Sequence, residues 1–237
     1  MTPHRVNCRP TPSLGGIWGR KRSASLCQLA GRWRPRDLGA GAMAEEKQDG
    51  FRCLYMPGID GRPGLWTRNG MPMPGVGHIL ARLLEVEQAL GAPHFIDGEL
   101  VVGGSLASTK AHYERGWKAG DAGTYYAFDC VPLDDWRAGR CDTPLYRRKS
   151  DLARAIDATA PHRGDWEWRE GSRGKDHGID PLSLIPDEWV SDPADVDEMA
   201  ARIWARGGEG VMVKDAESPY IRARTDSWLK HKRPGAA

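Results

Sequence analysis

Lys47 stands in Glu45-Glu46-Lys47-Gln48-Asp49-Gly50-Phe51-Arg52, a KxDGxR arrangement that sets a lysine amine beside a tight turn and an arginine. A lysine amine is protonated at neutral pH and is then no nucleophile; partial burial or neighbouring cations depress its pKa and make it one. The chain supplies such cations in Arg52, Lys214, Lys230 and Lys232. Lys230 and Lys232 alternate, as do Met212 and Lys214, so on a strand each pair shares a face. Two ammonium groups on one face suit a single phosphate between them. Glu99 follows Gly98 and precedes an apolar stretch, a costly place for an unpaired carboxylate. Each residue alone also has an ordinary reading. Lys47 would be a surface lysine, Glu45 a solvated glutamate and Asp49-Gly50 a turn. Arg68 would be an exposed arginine beside an Asn69-Gly70 hairpin, Phe128 a core aromatic, and Lys230 and Lys232 a solvated face.

The elements that must position these residues follow from periodicity. Lys47 is expected at a strand edge or in a loop, with a strand over 51–55 after it. Residues 65–68 read as a strand running into the Asn69-Gly70 turn. Ile79, Leu80, Leu83, Leu84 and Leu90 recur at helical spacing over 76–90, with Gly91 as the stop. Residues 95–102, 124–133, 182–190 and 210–214 read as strands. Residues 148–158 and 193–205 read as helices, the second with Asp192 as N-cap. Strands and helices mix without strict βαβ alternation, so the fold class is α+β rather than doubly wound. Residues 1–28, rich in Pro, Gly, Ser and Arg, read as a flexible basic tail on a domain spanning 29–237.

Composition narrows the function. At 237 residues, 40% apolar and 28% charged, the chain can bury a sizeable core. No run of 18 apolar residues exists, so no membrane span is expected. Five cysteines without CxxC spacing, and no secretory signal, read as reduced thiols of a cytosolic protein. The histidines do not cluster with them as a zinc site would, and Gly207-Gly208-Glu209-Gly210 lacks P-loop spacing. The formal charge of +2 is uneven: residues 1–42 net +7 and the rest −5. The basic segment has three readings: an arm on DNA, a targeting-like leader, or solvated sequence.

Five boxes in fixed order, Lys47-Gln48-Asp49-Gly50-Phe51-Arg52, Phe95 to Leu100, Tyr126-Ala127-Phe128-Asp129, Glu209 to Lys214 and Trp228-Leu229-Lys230-His231-Lys232, resemble the active-site motifs of the nucleotidyltransferase (adenylation) domain of ATP-dependent DNA ligases, small bacteriophage and bacterial forms above all. The resemblance covers most of the chain, from about Leu29 to Lys232. It implies two antiparallel β-sheets flanked by helices, an ATP-grasp-like ligase fold with the nucleotide between the sheets. It implies that Lys47 attacks the α-phosphate of ATP to give lysyl-AMP, that AMP passes to the 5′-phosphate of nicked double-stranded DNA, and that the 3′-hydroxyl then expels AMP. Lys230 and Lys232 would meet the α-phosphate, Glu45 the adenine amino group, Phe128 the adenine face and Glu99 a ribose hydroxyl. Arg52 would lie near ribose and nick, Arg68 at phosphate, Lys214 in the same pocket, and Glu209 at a Mg²⁺ or Mn²⁺ ion. Gly50 would let backbone approach the nucleotide.

Two departures stand out. Ala223 and Thr225, in Tyr220 to Thr225, replace the family's usual glycine and serine, which weakens Arg224 as a DNA contact. The chain stops five residues after Lys232, so the expectation is a monomer without the C-terminal OB-fold domain. Alternatives are an RNA ligase or mRNA guanylyltransferase relative, or a nick-binding fragment with little turnover. Met43 is a possible start, although Leu29, Ala30 and Trp33 resemble an apolar segment that precedes the first box.

Overall fold

The structure is a computed structural model that describes residues 25–160 and 180–233. One five-stranded sheet runs β1 (Leu29–Arg32), β12 (Arg224–Lys232), β10 (Gly210–Asp215), β2 (Ala42–Glu46) and β9 (Asp187–Val190). The second runs β4 (Pro63–Thr67), β3 (Phe51–Pro57), β5 (His94–Val101), β6 (Thr124–Pro132) and β8 (Leu182–Leu184). A short ribbon joins β7 (Arg140–Cys141) to β11 (Tyr220–Ile221). The helices are α1 (Gly77–Leu90), α2 (Leu106–Arg115), α3 (Leu133–Ala138), α4 (Leu145–Ala158) and α5 (Pro193–Ala205).

The two-residue side-chain period of a strand sorts the apolar residues into three cores. From β3, Cys53 and Tyr55 turn outward to Ile79, Leu83 and Val86 of α1 and Leu152 of α4. Leu54 and Met56 turn the opposite way and meet Met43 and Trp228 of the first sheet. Behind that sheet Val211, Val213 and Leu229 pack against Val196, Ala200 and Ile203 of α5. The order of layers is therefore helices, sheet, core, sheet, helix, and a cleft opens into the middle core. The helices are stopped and started as their sequences require. Gly91, at φ 78°, closes α1. Asp192 and Asp195 form a capping box on α5, with Pro193 in its first turn.

The mixed α+β class and the pair of facing sheets agree with the sequence reading. Four details differ. Each sheet carries one parallel pair, β1 with β12 and β6 with β8; each pair is joined by a long crossover, the connection that parallel neighbours need. The single strand read over 182–190 is two strands in different sheets, because Pro186 has no N–H for a ladder and the chain crosses there. Helix α4 begins at Leu145 rather than 148, straight after Pro144, and buries Leu145, Arg148, Lys149 and Leu152 on one face. Residues 25–28 do not belong to a free tail: Cys27 and Gln28 are fully buried. The Gln28 side chain bonds Ile221 N, Thr225 Oγ1 and Ser227 Oγ at 2.6–3.2 Å, and its backbone N–H donates to Tyr220 Oη. Residues 1–24 of the expected tail lie outside the described residues.

Candidate active site

Lys47 follows the last residue of β2 and begins the link to β3. Its backbone N–H donates to Gly210 O at 2.8 Å, which fixes the link against β10. Two glycines make this geometry possible. A Cβ on Gly210, whose φ is 152°, would lie 2.0 Å from His231 O, so only glycine lets β10 and β12 approach here. A Cβ on Gly50 would lie 2.2 Å from Leu100 O. Gly50 is thus required by the close passage of β5, a reason within the fold, and it also lines the cleft.

The Lys47 ammonium meets Glu209 Oε2 at 2.6 Å, and Lys232 meets Glu209 Oε1 at 3.1 Å. One carboxylate therefore draws two lysines from different elements to one point. Lys230 lies on the same face of β12 as Lys232. Among the described residues it has no carboxylate partner; burial, then Lys232, Arg224, Lys47 and Arg68, hold its amine below the ordinary lysine value. A side chain held by like charges on several sides marks where an anion is welcome. His231, between them, points to the other face, where it meets Asp197 Oδ1 at 3.1 Å and lies beside the rings of Trp33 and Trp204.

The facing wall comes from the second sheet. Arg52 and Glu99 are register partners on β3 and β5, and Asp97 and Leu54 share their face. Arg52 clasps Asp97 through Nε and one terminal nitrogen, both at 2.5 Å. Tyr220 Oη also donates to Asp97, at 2.7 Å. Glu99 has no such clasp. Burial pushes its carboxyl up to about 7, against the opposing pull of Lys47 and Arg52. Phe128 from β6 lies beneath, 6% exposed, with the Arg52 guanidinium 4.6 Å and the Lys214 ammonium 4.3 Å from its ring centroid. Lys214 is buried on β10, paired with Glu45 Oε2 at 2.5 Å; burial pushes its amine below the usual value. Arg68 stands exposed at the rim, after β4.

All ten residues singled out in the sequence, Lys47, Lys230, Lys232, Glu45, Arg52, Arg68, Glu99, Phe128, Glu209 and Lys214, line this one cleft of about 710 Å³. The four cations differ in their partners: Arg52 is engaged by Asp97, Lys214 by Glu45 and Lys232 by Glu209, while Lys230 has no carboxylate partner among the described residues. The sequence reading missed Asp97 as a partner of Arg52, although it lies two residues before Glu99 and hence on the same face. It also missed Lys149 of α4, buried against Glu45 at 2.6 Å and Asp187 at 2.5 Å, for which one-dimensional spacing holds no signal. Among the described residues no group of three or more His, Cys, Asp or Glu side chains gathers as a metal cage.

Residues 35–232 match the model of the ATP dependent DNA ligase domain family. A DNA ligase of Natronomonas pharaonis is 28% identical over 92% of this chain and 37% of its own length. A probable DNA ligase of Kineococcus radiotolerans is 32% identical over 81% of this chain and 34% of its own. The chain thus spans about a third of the length of these curated relatives. Among solved structures, the ATP-dependent DNA ligase from bacteriophage T7 in complex with ATP superposes with a TM-score of 0.66 at 16% identity, covering 88% of this chain and 68% of that one. Chlorella virus DNA ligase-adenylate gives 0.60 at 18% identity, covering 89% and 68%.

Proposed function

We propose, for a chain that belongs to the ATP-dependent DNA ligase domain family, that it catalyses the nucleotidyl-transfer chemistry of strand joining on nicked double-stranded DNA, with ATP as the nucleotide. The observation that carries this reading is the meeting of Lys47 and Lys232 on Glu209, in a cleft also lined by Lys230, Glu45, Arg52, Arg68, Glu99, Phe128 and Lys214. Lys47 Nζ attacks the α-phosphorus. An N–P bond forms, the bond to the bridging oxygen of pyrophosphate breaks, and Glu209, 2.6 Å away, is placed to take the proton from the attacking amine. Lys230 and Lys232 neutralise the charge that develops on the α-phosphate oxygens. Phe128 supports the base, Glu45 meets its edge, Glu99 meets a ribose hydroxyl, and Arg52 and Arg68 lie toward ribose, phosphate and nick. AMP then moves from Lys47 to the 5′-phosphate, and attack by the 3′-hydroxyl releases it.

A divalent ion fits the donor set in one way. Mg²⁺ commonly takes one or two carboxylates plus substrate phosphates and waters, and Glu209 supplies one carboxylate, 18% exposed, at the cleft wall. Glu209 would hold the ion, which would neutralise phosphate charge during transfer.

The four described cysteines are free, which supports a reducing cytosol as the site of action; among the described residues no helix is long and apolar enough to cross a membrane. The reading is tested by incubating the chain with α-labelled ATP and a divalent ion. Label should attach to Lys47 in an acid-labile bond and should be lost in Lys47→Ala. Labelling of that variant overturns the assignment. Sealing of a nicked duplex, with and without a pre-adenylylated 5′ end, then separates the first step from the later ones.

A further inference from the structure

Glu45 lines the cleft, and its carboxylate is held by two ammonium groups. Lys214 takes Oε2 at 2.5 Å and Lys149 takes Oε1 at 2.6 Å. Lys149 does not line the cleft. It comes from α4, on the far side of Glu45, and is itself anchored by Asp187 of β9 at 2.5 Å. All but Asp187 are nearly inaccessible: the side chains of Glu45, Lys149 and Lys214 are 1%, 3% and 2% exposed. Two carboxylates and two ammonium groups make a neutral buried set, so none is left as an uncompensated charge.

This set has a chemical consequence. A carboxylate carries about four acceptor positions, and here one ammonium sits at each oxygen. The carboxylate is then left with acceptor capacity only. Oε1 is held by a charge-assisted hydrogen bond from Lys149, short and orienting, and Oε2 by the ion pair with Lys214. An exocyclic amino group on a base satisfies such an edge. A carbonyl in the same place sets acceptor against acceptor and leaves both desolvated, and sites built on a hydrogen bond reject that mismatch strongly.

We propose that Lys149 is a positioning residue for nucleotide choice, holding Glu45 as an acceptor-only edge so that the cleft takes a 6-amino purine nucleotide and refuses a 6-oxo one. The proposal rests on the reading of Lys47 as the residue that becomes nucleotidylated, with Glu45 at the base edge. Lys149 acts through Glu45 and touches no substrate.

The test measures covalent labelling of the full chain by α-labelled ATP and by α-labelled GTP in parallel, and reads the ratio of the two rates. Lys149→Met should lower the ATP-to-GTP ratio at least tenfold, and Lys149→Arg, which keeps a donor and a charge, should bring it back to within about threefold of the parent. A merely structural role would slow both nucleotides by a common factor and leave the ratio unchanged, and that result in a folded variant overturns the proposal. Should Lys149→Met fail to fold, Glu45→Gln and Glu45→Gln/Lys149→Met are compared. Action through Glu45 requires equal ratios in the two, and a further drop in the double variant overturns it. A parent chain that takes label from neither nucleotide refutes the reading of Lys47 itself. A parent that prefers ATP, with an unchanged ratio in Lys149→Met, refutes the role of Lys149 alone.

Discussion

Glu99 has the most readily tested electrostatics of any single side chain in the cleft. Its carboxyl titrates near 7 in the folded protein because burial disfavours the charged form more than Lys47 and Arg52 favour it. The folded pKa is raised above the unfolded one, so the fold holds a proton there that the unfolded chain gives up. The associated stability is complete below about pH 4.5 and is lost as pH rises through about 7. Glu99→Gln removes the charge and with it the penalty. The variant should be more stable than the parent at pH 8, by up to about 3 kcal/mol, and the difference should shrink steadily toward pH 5. Urea midpoints at the two pH values measure this, and a difference independent of pH refutes the assignment. The same substitution should slow labelling of Lys47, since the proposed ribose contact loses its stronger acceptor. The box residues were legible because each combines an unusual residue type with a fixed spacing along one strand. Lys149 was not, since its partners Glu45 and Asp187 lie on two other elements and only the closed fold brings them together.

At the scale of elements, the cleft depends on how closely strands can pass. Gly50→Ala would push a methyl group toward Leu100 O, a backbone atom of β5 that cannot step aside. We expect a loss of about 1–3 kcal/mol, as for other overpacked sites, and slower labelling of Lys47, three residues away. Chemical denaturation measures the first and the labelling rate the second; wild-type values for both would show that β5 yields. Helices α1 and α5 were legible because an apolar stripe is joined in α1 by the Gly91 stop and in α5 by the Asp192 cap. Helix α2 was not, since Leu106 to Arg115 is polar almost throughout and Ser105 is its only start signal, accepting from Ser108 N. Strand β2 escaped because Ala42, Met43 and Ala44 are too few and too small to show a period; pairing with β10 on one side and β9 on the other makes it a strand. Strands β8 and β9 read as one because apolar residues, Leu182, Leu184, Ile185, Trp189 and Val190, recur across the whole segment and only Pro186 marks the change of sheet.

The whole molecule needs residues upstream of Met43. Trp33 is 6% exposed in the core behind the first sheet, and β1 pairs along β12, the strand that carries Lys230 and Lys232. Trp33→Ala should cost about 3–5 kcal/mol. A chain beginning at Met43 should lose more, and its labelling with it, whereas one beginning at Ser25 should keep a thermal midpoint close to that of the full chain. Calorimetry of the three orders them, and a stable chain beginning at Met43 would place the domain edge there. Limited proteolysis adds a local check: Arg34 and Arg36 are exposed, but Trp33 is tied to Lys230 O and Arg36 to Asp226 O, so cutting there should be slow. The two sheets are linked by two very short crossings, the residues 47–50 between β2 and β3 and Ile185-Pro186 between β8 and β9. Such links have almost no slack. The sheets are built as two plates riveted at two points, and Lys47, the proposed nucleophile, is part of one rivet. Any movement that widens the cleft must pivot about Lys47 rather than carry it away, so the attacking nitrogen keeps its place while the walls breathe. In hydrogen exchange, the Lys47 and Ile185 amides, bonded to Gly210 O and Ala127 O, should open only with global unfolding, and the Arg68 rim much sooner.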